Sequence, residues 1–512
     1  MEDFNMELHH IIQKLLYYAK VKLGLQEFDS IYVQNQLLDL FHLTSMENTS
    51  IDEKAIENLQ VPDVLLEELR TYLKENTTYN DKEIERLLVK VMGMITPMPN
   101  DVISHFTTLE KENPQTALDY LYQLEIYNNY IQKTAVDRNL YWKAEFPTNY
   151  LEITINLSKP EKKNSDIAKL VGKKDVSYPK CLLCLENLGY AGRDDHPARQ
   201  NIRMIPVSLN DEHWFLQYSP YVYYYEHCIV ICGHHEPMQM GRRIYANLLS
   251  FVDRFPCFFV GSNSELPIVG GSILNHEHFQ GGSHLMPMMF SHPIIELENK
   301  KYKHTKIEYL DWYASTLRLT SKNKEELLDA AEHILAVWRD YQDEEIDIIP
   351  HSNGAQHNTT TPIARKVDDN YVLYLILRNN RTNETYPDGI FHAHPECHNI
   401  KSEGIGLIEA MGMFILPARL ERQTKELAAL LNDVSIDIDE YFKEHEDLKI
   451  HRDFITGLRK QLDHPLTMEG AIQYIRNEIS NVCMHILGNV AVFKQDEKGN
   501  EHFMSFAKKL DL

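Results

Sequence analysis

The stretch from Leu266 to Gly282, LPIVGGSILNHEHFQGG, is the most informative part of the sequence and predicts a strand framed by glycines. On a strand, alternate residues share a face, so we expect His276, His278 and Gln280 to point the same way. The flanking Gly-Gly pairs would let the backbone approach a ligand closely. Two imidazoles and one amide on such a face favour a reaction site, and a purely structural face is the alternative.

These side chains suit the transfer of a phosphoryl or nucleotidyl group. A neutral imidazole is a good nucleophile toward phosphorus and a tolerable leaving group, so it can carry such a group between two acceptors. Gln280 can hold phosphate oxygens without supplying a proton. A hexose 1-phosphate leaving group, with a second pKa of about 6, needs no general acid. The candidate catalytic residues His276, His278 and Gln280 therefore favour transfer between two phosphates over hydrolysis, and this chemistry requires no cofactor.

Residue patterns on both sides of this stretch predict an α+β fold. Apolar residues recur at helical spacing through the first third of the chain, and strict alternation begins at Leu151. We predict a helical region over 1–145, a catalytic α+β unit over 146–300, and a second α+β unit with C-terminal helices over 301–512. The predicted strands include Arg203–Val207, Trp214–Tyr218, His227–Cys232, Cys257–Val260, Leu285–Phe290, Thr360–Arg365, Tyr371–Leu377 and Ile405–Leu416.

Composition narrows the class of protein. The 512 residues carry 52 Lys and Arg against 75 Asp and Glu, a net charge of −23. Such a surface repels nucleic acid and anionic lipid, so we expect neither as a partner. An odd count of seven Cys without a regular framework is typical of a reduced, intracellular protein. The polar start of the chain does not read as a signal peptide, and no apolar run reaches the length of a membrane span. We expect a cytoplasmic protein.

One Cys-x-x-Cys pair, Cys181 and Cys184, indicates half of a structural zinc site. Either His235 with His276 or Cys228 with Cys232 could complete the four ligands, and the list of candidates therefore stays open. The alternative is a set of reduced thiols that bind no metal.

Because the net charge is unfavourable for anions, a phosphate-bearing ligand needs local donors. Arg193, Arg199 and Arg203 follow the Cys pair and are the donors expected near a nucleotide phosphate. Each of them alone would be read as a surface arginine.

A second group of candidate residues lies in the last third of the chain. His392, His394 and His398 follow Arg378 and Arg381. The histidines could bind a metal and the arginines could clamp an anion. A polar loop with solvated histidines is the alternative.

The chain resembles the class II galactose-1-phosphate uridylyltransferases, also called UDP-glucose–hexose-1-phosphate uridylyltransferases. The resemblance covers essentially the whole chain, including the helical first third. Six blocks match the family in order: KCLLCLENLGYAGRDDHPARQN (180–201), YVYYYEHCIVICGHHEPMQM (221–240), GSNSELPIVGGSILNHEHFQGG (261–282), HNTTTPIAR (357–365), LRNNRTNETYPDGIFHAHPE (377–396) and IGLIEAMGMFILPARL (405–420).

The resemblance implies a fold and a reaction. The family belongs to the histidine-triad superfamily, which implies two antiparallel half-barrel units with flanking helices. His278 would attack the α-phosphorus of UDP-glucose, glucose 1-phosphate would leave, and galactose 1-phosphate would take the uridylyl group to give UDP-galactose. Gln280 would hold the uridylyl phosphate, with Ser272 and Asn263 contacting phosphate or ribose.

The resemblance also bears on metal and assembly. It implies a zinc ion held by Cys181, Cys184, His235 and His276, and a homodimer. The residue between the two histidines is Glu277, where class I members have Pro and class II members usually have an acidic residue. Ile202 stands where class II members often have His.

Two other functions fit the same residues less well. A dinucleoside polyphosphate phosphorylase or hydrolase of the same superfamily would use the same histidine, but Gln280 stands where the hydrolases have a third His. A non-catalytic protein that binds a sugar nucleotide is the remaining alternative.

Overall fold

The structure is a computed structural model that describes residues 2–158, 178–271 and 273–512. Helices dominate the first third, as predicted. The described helices, in chain order, are α1 Glu2–Tyr18, α2 Glu27–Leu40, α3 Glu53–Glu57, α4 Asp63–Asn76, α5 Asp81–Ile95, α6 Pro99–Glu112, α7 Pro114–Tyr127, α8 Lys133–Val136, α9 Arg242–Arg254, α10 Lys324–Asp340, α11 Leu407–Ala410, α12 Arg419–Asn432, α13 Ile438–Glu444, α14 Arg452–Lys460, α15 Met468–Val490 and α16 Glu497–Lys509.

Local sequence explains where the first helices begin and end. The apolar face of α1 is buried, including Leu8, Ile12 and Leu15. The chain continues through a π-helical turn and leaves the helix at Gly24, whose φ of 74° is left-handed and suits a residue without a side chain. Helix α5 begins with a capping box in which Asn80 and Glu83 satisfy each other's main-chain N–H groups.

Strands occupy the middle of the chain and part of its last third. They are β1 Leu140–Glu145, β2 Tyr150–Asn156, β3 Ile205–Leu209, β4 Glu212–Tyr218, β5 Cys228–Cys232, β6 Phe259–Ser262, β7 His278–Gly282, β8 Pro293–Glu296, β9 Thr305–Leu310, β10 Thr316–Ser321, β11 His351–Ser352, β12 Ala355–Gln356, β13 Asn358–Val367, β14 Asn370–Asn379 and β15 Met413–Pro417.

The described chain forms two compact units. The first contains residues 2–138 and 178–235, and the second contains residues 139–158 and 236–512. The predicted division at 145 and 300 stays a prediction. In the first unit, helices α1–α8 accompany a run of three antiparallel strands in the order β3-β4-β5.

The second unit contains a run of seven antiparallel strands in the order β7-β6-β13-β14-β10-β9-β8. A smaller sheet, β1-β2-β15, pairs β1 with β2 antiparallel and β2 with β15 parallel. An aromatic cluster forms part of the core. Trp338 of α10 packs edge to face on Phe506 with ring centroids 5.4 Å apart, and Phe503 stacks on Tyr309 at 3.7 Å.

The mixed α+β class with antiparallel sheets and a helical N-terminal region is confirmed, whereas the two half-barrels stay a prediction. Two predicted strands are wrong in part or in whole. Residues 287–290 form a 3₁₀ helix that begins at Pro287, a residue that cannot donate to a strand ladder. Residues 407–410 form helix α11 before β15 begins at Met413. None of the described helices has both the length and the apolar character required to cross a bilayer.

Candidate active site

His278 is the first residue of β7, and its ring is held by the main chain. Strand β7 pairs with β6, with Gln280 opposite Gly261. His278 is buried, and its Nδ1 lies 2.8 Å from the carbonyl oxygen of His276. Because a carbonyl only accepts, Nδ1 carries the proton and donates it. The lone pair of the neutral ring is therefore on Nε2.

The charge state of His278 suits a nucleophile. Burial lowers the pKa of His278 below its usual value, the hydrogen bond to the His276 carbonyl opposes that shift, and the neighbouring imidazole of His276 adds to it. The ring is consequently neutral near pH 7, which is the form that can attack phosphorus.

The residues before His278 are fixed by Glu277 rather than by strand pairing. The Glu277 N–H donates to the carbonyl of Glu236 at 2.9 Å. Its fully buried carboxylate accepts a hydrogen bond from Arg243 of α9 at 2.8 Å. The prediction that His276 lies on the same strand as His278 and Gln280 is wrong, because the strand begins only at His278. His278 and Gln280, two residues apart on β7, do share a face.

The glycines before the strand allow close packing of the backbone. A side chain at Gly271 would lie 2.7 Å from Nδ2 of Asn263, and one at Gly270 would lie 2.5 Å from the carbonyl of Ser264. Asn263 is buried, and its Oδ1 accepts the Leu407 N–H at 2.9 Å. The proposed contact at Ser272 lies outside the described residues.

Arg203 is a structural residue and not a free phosphate donor. It is buried, and its guanidinium donates to five main-chain carbonyls, which matches its five donors. The main-chain N–H of Arg203 donates to the carboxylate of Glu125 in α7 at 2.7 Å. Burial lowers the pKa of Arg203 to about 10 and raises that of Glu125 to about 8. The five acceptors are the carbonyls of Gly93, Thr96, Pro97, Gln200 and Ile202.

Arg193 and Arg199 are engaged differently from Arg203. Arg193 forms an ion pair with Asp195 at 2.6 Å and donates to the hydroxyl of Tyr190 at 3.1 Å. The guanidinium of Arg199 lies 5.3 Å from the ring centre of Tyr130. Both arginines are only half-buried, so solvent reaches them.

Arg378 and Arg381 both bind protein groups. Arg378 is fully buried and donates to the carbonyl of Ile405 at 2.7 Å. Burial lowers the pKa of Arg378 to about 10, and the negative charge of Glu409 partly opposes this shift. Arg381 pairs with Asp347 at 2.7 Å. The contacts of Arg378 are those of a core residue, and the role of Arg378 and Arg381 as an anion clamp stays a prediction.

Three of the predicted metal ligands come together in the first unit. Cys181 Sγ lies 3.6 Å from Cys184 Sγ, which lies 3.2 Å from Nδ1 of His235. Their ligand atoms all fall within 4.8 Å of one another, and two thiols with one imidazole suit zinc. Burial raises the pKa of Cys181 to about 11, so a metal would have to displace its proton. His276 belongs to the second unit, and its role as fourth ligand stays a prediction.

The second histidine group is bound to the main chain. Nε2 of buried His392 accepts the Ile405 N–H at 3.3 Å. His394 stacks on Tyr386 with ring centroids 4.0 Å apart, and its Nε2 donates to a carbonyl at 2.9 Å. His398 likewise donates to the carbonyl of Ala393 at 3.0 Å.

Sequence reasoning missed two pairs near these motifs. Arg243 lies outside the sequence motifs, and its partner Glu277 follows 34 residues later. His284 follows β7 and bonds the buried carboxylate of Glu152 in β2 at 2.6 Å, across 132 residues. No local pattern predicts contacts so distant in sequence.

Comparison with known proteins assigns the family. Residues 24–237 match the description "Galactose-1-phosphate uridyl transferase, N-terminal domain", and residues 251–447 match the corresponding C-terminal domain. Proteins named galactose-1-phosphate uridylyltransferase are similar over nearly the full length. The one from Fusobacterium nucleatum is 40% identical over 98% of both chains, and the one from Bacillus subtilis is 41% identical over 99% of this chain and 98% of its own.

The chain therefore belongs to the galactose-1-phosphate uridyl transferase family, whose members are nucleotidyltransferase enzymes. A third relative, from Caldanaerobacter subterraneus, is 42% identical over 97% of this chain and 96% of its own. Among solved structures, yeast Ap4A phosphorylase Apa2 matches 58% of this chain and 89% of its own at 11% identity. Its TM-score of 0.30 is too low to support an inference.

Proposed function

We propose that the protein exchanges a uridylyl group between UDP-glucose and galactose 1-phosphate, giving UDP-galactose and glucose 1-phosphate in galactose metabolism. Family membership supports the substrates, since the relatives are named for this reaction. The observation that carries the mechanism is the ring of His278, a buried neutral imidazole with its lone pair on Nε2.

The first half-reaction forms a covalent uridylyl-histidine. Nε2 of His278 attacks the α-phosphorus of UDP-glucose, and the bond from that phosphorus to the bridging oxygen breaks. Glucose 1-phosphate departs with the bonding electron pair and needs no proton, because its second pKa is about 6. The main-chain carbonyl of His276 accepts the hydrogen bond from Nδ1–H throughout and stabilises the positive charge that the ring acquires.

The second half-reaction reverses the first with a different sugar. A phosphate oxygen of galactose 1-phosphate attacks the same phosphorus, the bond to Nε2 breaks, and His278 is regenerated. Gln280, on the same face of β7, supplies a neutral amide to the uridylyl phosphate oxygens. An amide cannot act as a general acid, and this favours transfer over hydrolysis.

Several contacts stay predictions within this proposal. Asn263 and Ser272 are proposed to contact phosphate or ribose, and half-buried Arg193 and Arg199 are proposed phosphate donors. Arg203 is left out, because its five donors are engaged. The homodimer also stays a prediction, which the solution mass from light scattering would test.

We also propose that zinc binds at Cys181, Cys184 and His235, where it would hold the Cys-x-x-Cys loop against the segment that carries His235. A zinc ion held there would supply a structural cross-link. Its content, measured on purified protein and on Cys184→Ser, should differ by one equivalent.

Isotope exchange tests the two-step reaction. Radiolabelled glucose 1-phosphate is mixed with protein and UDP-glucose, without galactose 1-phosphate, and label in UDP-glucose is measured. We expect label to appear, because glucose 1-phosphate leaves before the second sugar phosphate binds. Label that appears only when galactose 1-phosphate is added would contradict a covalent intermediate. Cleavage of diadenosine tetraphosphate without any exchange would instead identify a dinucleoside polyphosphate phosphorylase or hydrolase.

A further inference from the structure

Three side chains with different metal-binding atoms meet in the second unit, beside His394 of the second histidine group and apart from Cys181, Cys184 and His235. Glu396 and Cys397 lie in the short 3₁₀ helix Pro395–Cys397, and His485 lies near the end of α15. A carboxylate oxygen, a thiol sulfur and an imidazole nitrogen fall within 4.8 Å of one another. The three residues come from two segments that are almost ninety positions apart in sequence.

The spacing of these atoms suits ligands of one ion better than a hydrogen bond. Oε1 of Glu396 lies 3.6 Å from Nε2 of His485, which is longer than a hydrogen bond between such groups. Ligands of tetrahedral zinc, with bonds of about 2.0–2.3 Å, lie roughly 3.3–3.7 Å apart. The same Glu396 oxygen lies 3.8 Å from Nδ1 of His394. Both of these neighbours of Glu396 are thus imidazoles rather than Lys or Arg side chains.

The three groups differ in their exposure to solvent: one is buried and two are exposed. Cys397 is 2% exposed, whereas the side chains of Glu396 and His485 are 59% and 58% exposed. The carboxylate and the imidazole are therefore accessible to a cation from solvent, and the buried thiol lies within 4.8 Å of both. The net charge of −23 favours the approach of a cation.

We propose that Glu396, Cys397 and His485 bind a divalent cation of the zinc type, with a water in the fourth position. Sulfur, nitrogen and oxygen donors together favour zinc over magnesium or calcium. Binding exchanges one bond for another at sulfur: the Cys397 S–H proton is released to solvent and a sulfur–metal bond forms. The site is separate from Cys181, Cys184 and His235, and it would cross-link α15 to the segment that follows the second His-x-His.

Cobalt(II) is the probe, because a cysteine thiolate bound to cobalt gives a charge-transfer absorption band that carboxylate and imidazole ligands do not give. The double variant Cys181→Ser/Cys184→Ser removes the thiols of the other metal group. We expect metal-free double variant to develop the band on titration with cobalt(II), and zinc to abolish it by displacement. Adding Cys397→Ser should remove the band. Adding Cys483→Ser, a matched control that removes a different buried thiol, the one in α15, should leave it intact.

A second variant tests the imidazole. His485→Ala in the same background should weaken cobalt(II) binding at least 10- to 100-fold, since loss of a direct ligand exceeds the effect of losing an outer-shell partner. Absence of the band in a folded double variant, or its persistence after Cys397→Ser, would overturn the proposal. If the double variant does not fold, equilibrium dialysis of the wild-type chain and Cys397→Ser against zinc replaces it. A loss of one equivalent supports the site, and an unchanged content overturns it.

Discussion

Two His-x-His segments of the second unit, at 276–278 and 392–394, show how one pattern can give imidazoles of different availability. In the first segment, the main chain takes Nδ1 of His278 and leaves the Nε2 lone pair free of that bond. In the second, Nε2 of His392 uses its lone pair to accept the Ile405 N–H, and Nε2 of His394 donates to a carbonyl. The same pattern therefore leaves the ring lone pair on Nε2 in His278 and on Nδ1 in His394, whereas in His392 the lone pair of Nε2 is already used.

The residue between the two histidines differs as well. Glu277 is buried and tied to Arg243 of α9, which fixes the backbone where β7 begins. Its counterpart Ala393 has no polar side chain, and the chain there runs into the 3₁₀ helix Pro395–Cys397. The first segment thus has a side-chain anchor and a strand, and the second has neither.

The largest difference between the segments should appear in activity. His278→Ala is expected to reduce uridylyl exchange at least about 1000-fold, because the attacking nitrogen is lost. His394→Ala, the matched control from the second segment, should keep exchange within about threefold of wild type. The measurement is the initial rate of UDP-galactose formation. Comparable losses in both variants would contradict a role specific to His278.

The second segment should instead control stability in acid. Burial, with the charge of Arg378, lowers the pKa of His392 to about 4, against about 6.5 in an unfolded chain. The unfolded state therefore binds more protons between these values, and stability falls as pH falls from 6.5 toward 4. This residue should contribute a loss of about 2–3 kcal/mol in the free energy of unfolding between pH 7 and pH 4.5.

Urea denaturation at the two pH values measures this loss. His392→Gln is the matched variant, because its amide oxygen can accept the Ile405 N–H but does not titrate. The difference between wild type and variant isolates His392 from the other histidines. An equal pH dependence in both proteins would contradict a buried neutral imidazole at 392.

Glu277→Ala converts the first segment to the His-Ala-His of the second. Loss of the anchor should lower kcat by about 10- to 100-fold through misplacement of His278, while KM for UDP-glucose changes less than about threefold. Glu277→Gln should recover part of the rate, because an amide oxygen can still accept from Arg243. Glu236→Gln, which alters a half-buried neighbour of Arg243, is the control and should have little effect. A change confined to KM would contradict a positioning role.

The smallest effect is expected from His394→Ala on stability. The ring loses its stack on Tyr386 and one hydrogen bond to a carbonyl, so the free energy of unfolding should fall by about 1 kcal/mol. Chemical denaturation at pH 7 measures it. A loss above about 3 kcal/mol would mean that His394 has core contacts beyond these two.

Sequence patterns predicted elements whose signal is local. The helical face of α1, the alternation of β2 and the glycine-framed strand with His278 all depend on neighbours within a few residues. The start of β7 was misplaced because the residues before it are held by Glu236 and Arg243, which lie more than thirty positions away. The alternation of residue types along a strand carries no information about a partner so distant in sequence.

The arginines illustrate the same limit. Arg203 and Arg199 stand four residues apart in one polar loop, and nothing in the sequence separates their roles. Arg203 is saturated by carbonyls that include those of Gly93, Thr96 and Pro97, whereas Arg199 faces the ring of Tyr130. Only the folding of α5 and α7 against this loop distinguishes a structural arginine from a candidate ligand contact.

Intact-mass measurement tests the central claim most directly. The protein is mixed with UDP-glucose alone and quenched rapidly above neutral pH, because phosphoramidates are labile in acid. We expect a mass gain of one uridylyl group, which disappears when galactose 1-phosphate is added and is absent from His278→Ala. Release of glucose 1-phosphate with no change in protein mass would contradict covalent transfer through His278.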